Sequence, residues 1–200
     1  MRYEEFIKQT VEEFVGEGVI SGDAFPDMEL YMDQAVLFIN KHLNAYKREE
    51  KDKVMTKTMV SNYVKHHLIP RPKNKKYTKD HLILLTLIFY LKGTFQMEEI
   101  QTLMKPLIEN YNSEFDEKFD FYKIYNNTLN LYKEEQGNLL SEVTGDIDRI
   151  KKNLDDDELA DDDTTELFML IVNLSMKANA QKFLAQKLMN EYFNKDKSKK

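Results

Sequence analysis

The sequence predicts an all-α fold that carries one minimal β-hairpin. Most of the chain repeats apolar residues at three- and four-residue spacing, the period of one face of an α-helix. Its 200 residues include only six glycines and four prolines, so few turns interrupt these patterns. Strand-like pairs occur at Leu68–Ile69 and Lys76–Tyr77, and they can pair across a short basic turn. We therefore expect a helical protein with a small β-hairpin wing and a C-terminal helical bundle.

The chain divides into three predicted regions. An amphipathic helix is predicted over Tyr3 to Val15, and glycines followed by Pro26 end it. Composition changes again after residue 110, where long helical patterns begin. We expect an N-terminal helix and loop over residues 1–26, a head domain over 27–112 and a C-terminal helical region over 113–200.

Short polar side chains mark where the helices of the head begin. Asp27 can cap a helix from Met28 to about Leu43, and a charged loop follows it. Thr56 is the expected N-cap of a second helix, Lys57 to His67.

The second half of the head is predicted to be more deeply buried. Thr78 is expected to cap a helix that is apolar nearly all round, with Gly93 at its C′ position. A further helix begins near Gln96, and Pro106 is expected to kink or divide it.

The C-terminal region reads as long helices separated by breaks. Helical patterns cover residues 120–154, with interruptions predicted at Gly137 and Gly145. An acidic stretch at 155–163 lacks the spacing of a calcium loop, so we interpret it as a helix boundary. A final helix is predicted over 164–193, whose apolar residues suit a core or a dimer interface.

Charge is distributed very unevenly. The whole chain has a formal net charge of −6, yet residues 41–81 hold 12 Lys and Arg against 4 Asp and Glu, a local charge of +8. No acidic residue occurs from Lys53 to Lys79. A basic patch on an acidic body is typical of a protein that meets phosphate at one place only. We therefore expect a phosphate-bearing partner, and the helix–turn–wing order of residues 57–77 favours double-stranded DNA.

The helix predicted over residues 57–67 has two chemically different faces. One face is apolar, and we expect it to pack on the core together with His67, leaving His66 exposed. The other carries short polar and basic side chains that can reach base edges or phosphates. Tyr63 fits either a core aromatic or a hydroxyl that reaches a phosphate. The candidate DNA-binding residues are Lys57, Thr58, Ser61, Asn62, Tyr63, Lys65, His66, Arg71, Lys73, Asn74, Lys75 and Lys76.

Several other function classes find no support in the residues. The chain has no cysteine, which excludes disulfides and cysteine-ligated zinc. Its four histidines lack the spacing of a metal site, and no nucleophile–base pattern or glycine-rich phosphate loop occurs. No apolar run is long enough to cross a membrane, and the N-terminus is charged. We expect a cytoplasmic protein that is not an enzyme and needs no cofactor or metal.

Three segments together resemble the winged helix-turn-helix head of the MerR regulator superfamily: TKTMVSNYVKHHLIPRP, KKYTKDHL and LKGTFQMEEIQTLM. The residues that fall on the family pattern are Tyr63, Leu68, Ile69, Pro70, Tyr77, Thr78, Leu82, Phe95, Glu98, Glu99, Ile100 and Leu103. This likeness covers roughly residues 28–104. The whole chain also resembles an uncharacterised bacterial family, a domain of unknown function with such a head, through YMDQ at 31–34, SNYVK at 61–65 and IPRPKNKKY at 69–77.

The chain departs from the MerR pattern at several places. Ser61 and Asn62 stand where that family carries an Arg-Tyr pair, and Lys75 replaces the wing arginine. Lysine contacts phosphate as a point charge and not as a two-pronged fork. The loop over residues 44–53 is longer than the usual tight turn, and Pro106 lies where a dimer coiled coil would begin.

Two functions follow as hypotheses. The resemblance implies a DNA-binding transcriptional regulator that dimerises through its C-terminal helices and responds to an unknown small-molecule or protein effector. Its recognition helix would enter the major groove and its basic wing would contact the phosphate backbone. The alternative is a protein–protein interaction module with a degenerate helix-turn-helix head that binds an acidic partner.

Overall fold

The structure is a computed structural model that describes residues 2–47, 49–111, 120–156 and 163–194. Within these ranges it is mostly helical and contains one two-stranded antiparallel sheet, as the sequence predicts. The elements in chain order are α1 (Arg2–Glu17), β1 (Leu30–Tyr31), α2 (Met32–His42), α3 (Lys57–Lys65), β2 (Lys76–Tyr77), α4 (Lys79–Leu91), α5 (Met97–Tyr111), α6 (Phe121–Asp156) and α7 (Asp163–Tyr192).

Helix α4 is the centre of the larger hydrophobic core. Residues Leu82, Ile83, Leu84 and Leu85 are each fully buried, so the helix has no solvent face over this stretch. It packs against α2, β2 and α6, which confirms the prediction of a helix apolar all round. Thr78 caps its start, as predicted, and the structure adds a capping box with His81.

The pairing of the wing differs from the sequence prediction. Strand β2 pairs with β1, in the register Leu30 with Tyr77 and Tyr31 with Lys76, and not with Leu68–Ile69. Leu68 and Ile69 are instead buried in the core. The residues just before α2 therefore form a strand, and α2 begins at Met32 and not at Met28.

The long C-terminal helices form a second, smaller core. Helix α6 runs unbroken through Gly137 and Gly145, so the predicted interruptions there were wrong. Each glycine costs about 1 kcal/mol relative to alanine, and tertiary packing of flanking apolar residues outweighs this. The second core contains Val143, Ile147, Ile150, Leu154 and Leu170, with Tyr3 and Ile7 of α1 packed against it.

Two further expectations concern helix ends. Helix α5 continues through Pro106, so the proline does not divide it. Most of the acidic stretch at 155–163 lies outside the described residues, and α7 begins at Asp163.

None of the helices that the structure describes is long and apolar enough to cross a membrane.

Candidate nucleic-acid interface

Two sets of hydrogen bonds fix the start of α3. The Thr56 hydroxyl accepts a hydrogen bond from the Met59 N–H at 3.2 Å, which is the predicted N-cap. The side-chain amide of Asn40, on α2, donates to the Met55 carbonyl at 2.7 Å and accepts from the Met55 N–H at 3.2 Å. The segment that leads into α3 is thereby attached to α2. Asn40 is a positioning residue that sequence reasoning missed.

The end of α3 is a Schellman motif. The Leu68 N–H donates to the Tyr63 carbonyl at 2.9 Å, and the His67 N–H donates to the Val64 carbonyl at 3.2 Å. His67 occupies the left-handed position, with a φ of 57°. It is exposed and not packed, which corrects the sequence prediction, because the reversal of the chain at C′ directs its side chain away from the core.

The two faces of α3 are separated as predicted. Val60 and Tyr63 are buried, and burial raises the pKa of the Tyr63 hydroxyl. Tyr63 is the only candidate contact residue that is buried. The exposed candidates on and just after the helix are Lys57, Thr58, Ser61, Asn62, Lys65 and His66.

A tight turn places three lysines beside the wing strand. The Lys76 N–H donates to the Lys73 carbonyl at 2.9 Å, and the two central residues, Asn74 and Lys75, have φ values of 51° and 61°. Positive φ at both central positions is the pattern of a type I′ hairpin turn. Arg71, Lys73, Asn74 and Lys75 are all exposed, and Lys76 is half-buried.

The start of α3 and the wing meet at the same end of α2. The Lys57 ammonium lies 2.6 Å from the Asp33 carboxylate, and the Lys76 ammonium lies 3.5 Å from that of Glu29. Asp33 and Glu29 are four residues apart in the chain, so the first turn of α3 and the hairpin turn flank one short segment. Lys57, at the start of the polar helix, and Lys76, at the end of the basic turn, thus both lie beside the segment 29–33.

The remaining basic side chains have no such counter-charge. Lys65, Arg71, Lys73 and Lys75 form no ion pair with any residue that the structure describes. Four exposed cations without a counter-charge among the described residues raise the local positive potential, because water weakens their fields but does not cancel them. We call these four residues and the exposed face of α3 the basic face.

A residue of helix α5 contacts the C-terminal end of α3. The side-chain amide of Gln101 donates to the His66 carbonyl at 2.9 Å, satisfying an acceptor at the C-terminal end of α3. Sequence reasoning missed this contact as well. In the sequence, Gln101 and Asn40 look like any polar residue of an amphipathic helix. Nothing close to either residue identifies the backbone group that its side chain binds.

The fold and the site define a class of small helical proteins that present a short polar helix beside a basic β-turn. Within it, this chain belongs to the family described as Domain of unknown function (DUF1836), whose model matches residues 20–128. The matched range closely follows the larger core, which extends from Ile20 to Leu129. No match was found among curated proteins or among solved structures.

Proposed function

We propose that this protein is a sequence-specific DNA-binding transcriptional regulator of the cytoplasm. The observation that carries the proposal is the basic face itself, which combines the polar surface of α3 with four exposed cations in a chain of net charge −6. Phosphate contacts dominate affinity for DNA, and an acidic body orients the approach of the basic face.

Helix α3 suits the major groove in size and chemistry. An α-helix with its side chains is about 10–12 Å across, which fits the major groove of about 12 Å, and α3 has nine residues. Asn62 and Ser61 can bond to base edges, whereas Lys65 is placed to neutralise a phosphate. The Lys73–Lys76 turn would contact the flanking backbone, as the wing of a MerR-like head does.

A single head reads few base pairs, so we propose that the protein acts as a homodimer through α7. Phe168, Val172, Met176 and Phe183 follow helical spacing and lie opposite the buried Leu170. Phe168, Met176 and Phe183 are each more than 60% exposed. An exposed apolar stripe of this length fits a second copy of the same helix, because α7 would then cover α7 symmetrically.

Selection of genomic fragments by the purified chain, at about 50 mM and 200 mM salt, tests the proposal. We expect one enriched motif with half-sites about one helical turn apart, and a steep loss of retention at the higher salt concentration. Absence of any enriched fragment together with salt-independent retention would overturn it. That result would favour the alternative, in which the basic face binds an acidic protein segment.

A further inference from the structure

A cavity of about 190 Å³ lies between the head and α6. Its walls come from the segment after α1, the short 3-10 turn Asn44–Tyr46, helix α4 and the first half of α6. Four of its lining residues are tyrosines: Tyr46, Tyr90, Tyr125 and Tyr132. Sequence reasoning assigned the aromatic residues of this region to a core or dimer interface and identified no cavity.

The walls of the cavity are almost entirely apolar and carry no charge. No lining residue is acidic or basic; Val19, Leu87, Leu129 and Thr128 complete the surface. Taking a charged ligand out of water into such a site has no compensating ion pair, so a neutral ligand is strongly favoured.

Two of the four phenols are already committed to the protein backbone. The Tyr125 hydroxyl donates to the Ile20 carbonyl at 2.6 Å, and the Tyr90 hydroxyl donates to the Gly18 carbonyl at 3.4 Å. The hydroxyls of Tyr46 and Tyr132 form no hydrogen bond with the backbone of any residue that the structure describes. The surface of the cavity itself is almost entirely apolar, so it offers a ligand ring faces and aliphatic groups and very few polar atoms.

Burial keeps these groups in their neutral form. It raises the pKa of Tyr125 to about 12 and raises the pKa values of Tyr46, Tyr90 and Tyr132 above that of a free phenol. At physiological pH each hydroxyl therefore retains its proton. The cavity therefore presents no phenolate to a cation.

We propose that this cavity binds an uncharged small molecule built around one aromatic ring. An apolar cavity of about 150 Å³ accommodates benzene, so the present one has room for a ring with one small substituent. The ring would contact the tyrosine faces and Leu129.

The location of the cavity gives such a ligand a route to the basic face. Tyr46 lies in the segment that joins α2 to α3, while Tyr132 lies on α6. A bound ring would contact both and so stabilise one arrangement of the head against the C-terminal helices. Any effect on DNA affinity rests on the proposed function, whereas ligand binding itself does not.

Isothermal titration calorimetry of the full chain without DNA tests the site. Acetophenone is the neutral probe, and benzoate is a charged probe with the same ring. We expect acetophenone to bind and benzoate to bind at least about tenfold more weakly. No heat with acetophenone, or equal affinity for the two probes, would overturn the proposal whether or not the protein binds DNA.

Variants locate the binding. Leu129→Phe and Val19→Phe should fill the cavity and abolish acetophenone binding, while Leu131→Phe, at a position that is 66% exposed on the same helix, should leave it unchanged. Tyr132→Leu removes one ring face from the cavity wall and should weaken binding about three- to tenfold; it decides the matter if circular dichroism shows the filling variants misfolded. Wild-type affinity in Tyr132→Leu, or in a folded filling variant, would overturn the assignment.

Discussion

The side-chain amide of Asn40 and the backbone of Met55 form a reciprocal pair of hydrogen bonds, at 2.7 and 3.2 Å. Met55 is fully buried and directly precedes the N-cap Thr56. The pair therefore holds the start of α3 against α2. The orientation of α3, and so of the basic face, depends on this attachment.

Replacement of Asn40 by alanine should destabilise the protein by about 1–3 kcal/mol, because it leaves a buried N–H and a buried carbonyl of Met55 without partners. Urea unfolding followed by circular dichroism measures the change. Asn44→Ala, at an exposed position close by, is the control and should shift stability by less than about 0.5 kcal/mol. Equal effects of the two substitutions would show that the pair does not contribute.

Lys75→Gly should move stability and DNA affinity in opposite directions. The φ of 61° at Lys75 is strained for a side chain, so glycine should stabilise the turn by about 1 kcal/mol. The same change removes a cation and should lower the salt slope of DNA binding by about one. Fluorescence anisotropy over a salt series and thermal unfolding report the two quantities.

Lys75→Ala is the matched control for that experiment. It removes the same charge but keeps a β-carbon at the positive φ, so affinity should fall equally without a gain in stability. An unchanged salt slope in both variants would count against contact between the turn and phosphate.

Asn62→Ala should change which DNA sequence is preferred. An asparagine on the exposed face of α3 can form two hydrogen bonds to the major-groove edge of an adenine, and its loss should cost about 1–3 kcal/mol of discrimination at one base position. Lys65→Ala should weaken all sequences about equally, since a phosphate contact carries no base information. Parallel selections from a random-sequence pool distinguish the two outcomes; an identical motif from both variants contradicts the assignment.

The stability of the head should depend on the protonation of His81. Burial lowers the pKa of His81 below that of free imidazole, and its Nδ1 accepts the hydrogen bond from the Thr78 N–H at 3.2 Å. The unfolded chain then binds more protons than the folded chain as the pH falls through about 6.5, so stability is full above that pH and declines below it.

His81→Gln separates this effect from other titrations. Glutamine can keep the capping box with Thr78 but does not titrate, so melting temperature should fall less between about pH 7.5 and 5.5 than in the unaltered protein. Thermal unfolding at steps across this range measures both slopes. Parallel curves would assign the pH dependence to other groups.

Met176→Lys should convert a dimer into monomers. Met176 is 65% exposed at the centre of the apolar stripe on α7, and a lysine there would place two like charges together across a symmetric interface. Sedimentation velocity gives the oligomeric state. Leu131→Lys, an equally exposed apolar position on α6, should leave it unchanged; a monomeric unaltered protein would contradict the proposed dimer.

The parts of the fold that depend on local sequence were predictable. Thr56 and Thr78 act through residues three positions away, and the apolar stripe of α3 has a fixed period, so caps and faces follow from the sequence. The strand that pairs with Lys76–Tyr77 could not be predicted in this way. A two-residue strand has no period, and its partner, Leu30–Tyr31, is more than forty positions away in the chain.

Within the candidate site, the residues that line the surface were predicted better than those that hold it in place. The exposure of Ser61 and Asn62 follows from helical spacing. The exposure of His67 was missed, since only a left-handed residue at the helix end directs it outward. Asn40 acts on a residue fifteen positions away, and no local pattern encodes that contact.

The hydrogen-bonded pair of Asn40 and Met55 also closes the chain between them into a loop whose ends are fixed. Lengthening a loop with fixed ends costs little, about 0.6 kcal/mol for each doubling. The exposed residues Glu49, Glu50 and Lys51 at its tip are therefore a site where extra sequence can be inserted without moving α3. A fluorophore or a short epitope placed there would label the head without covering the basic face.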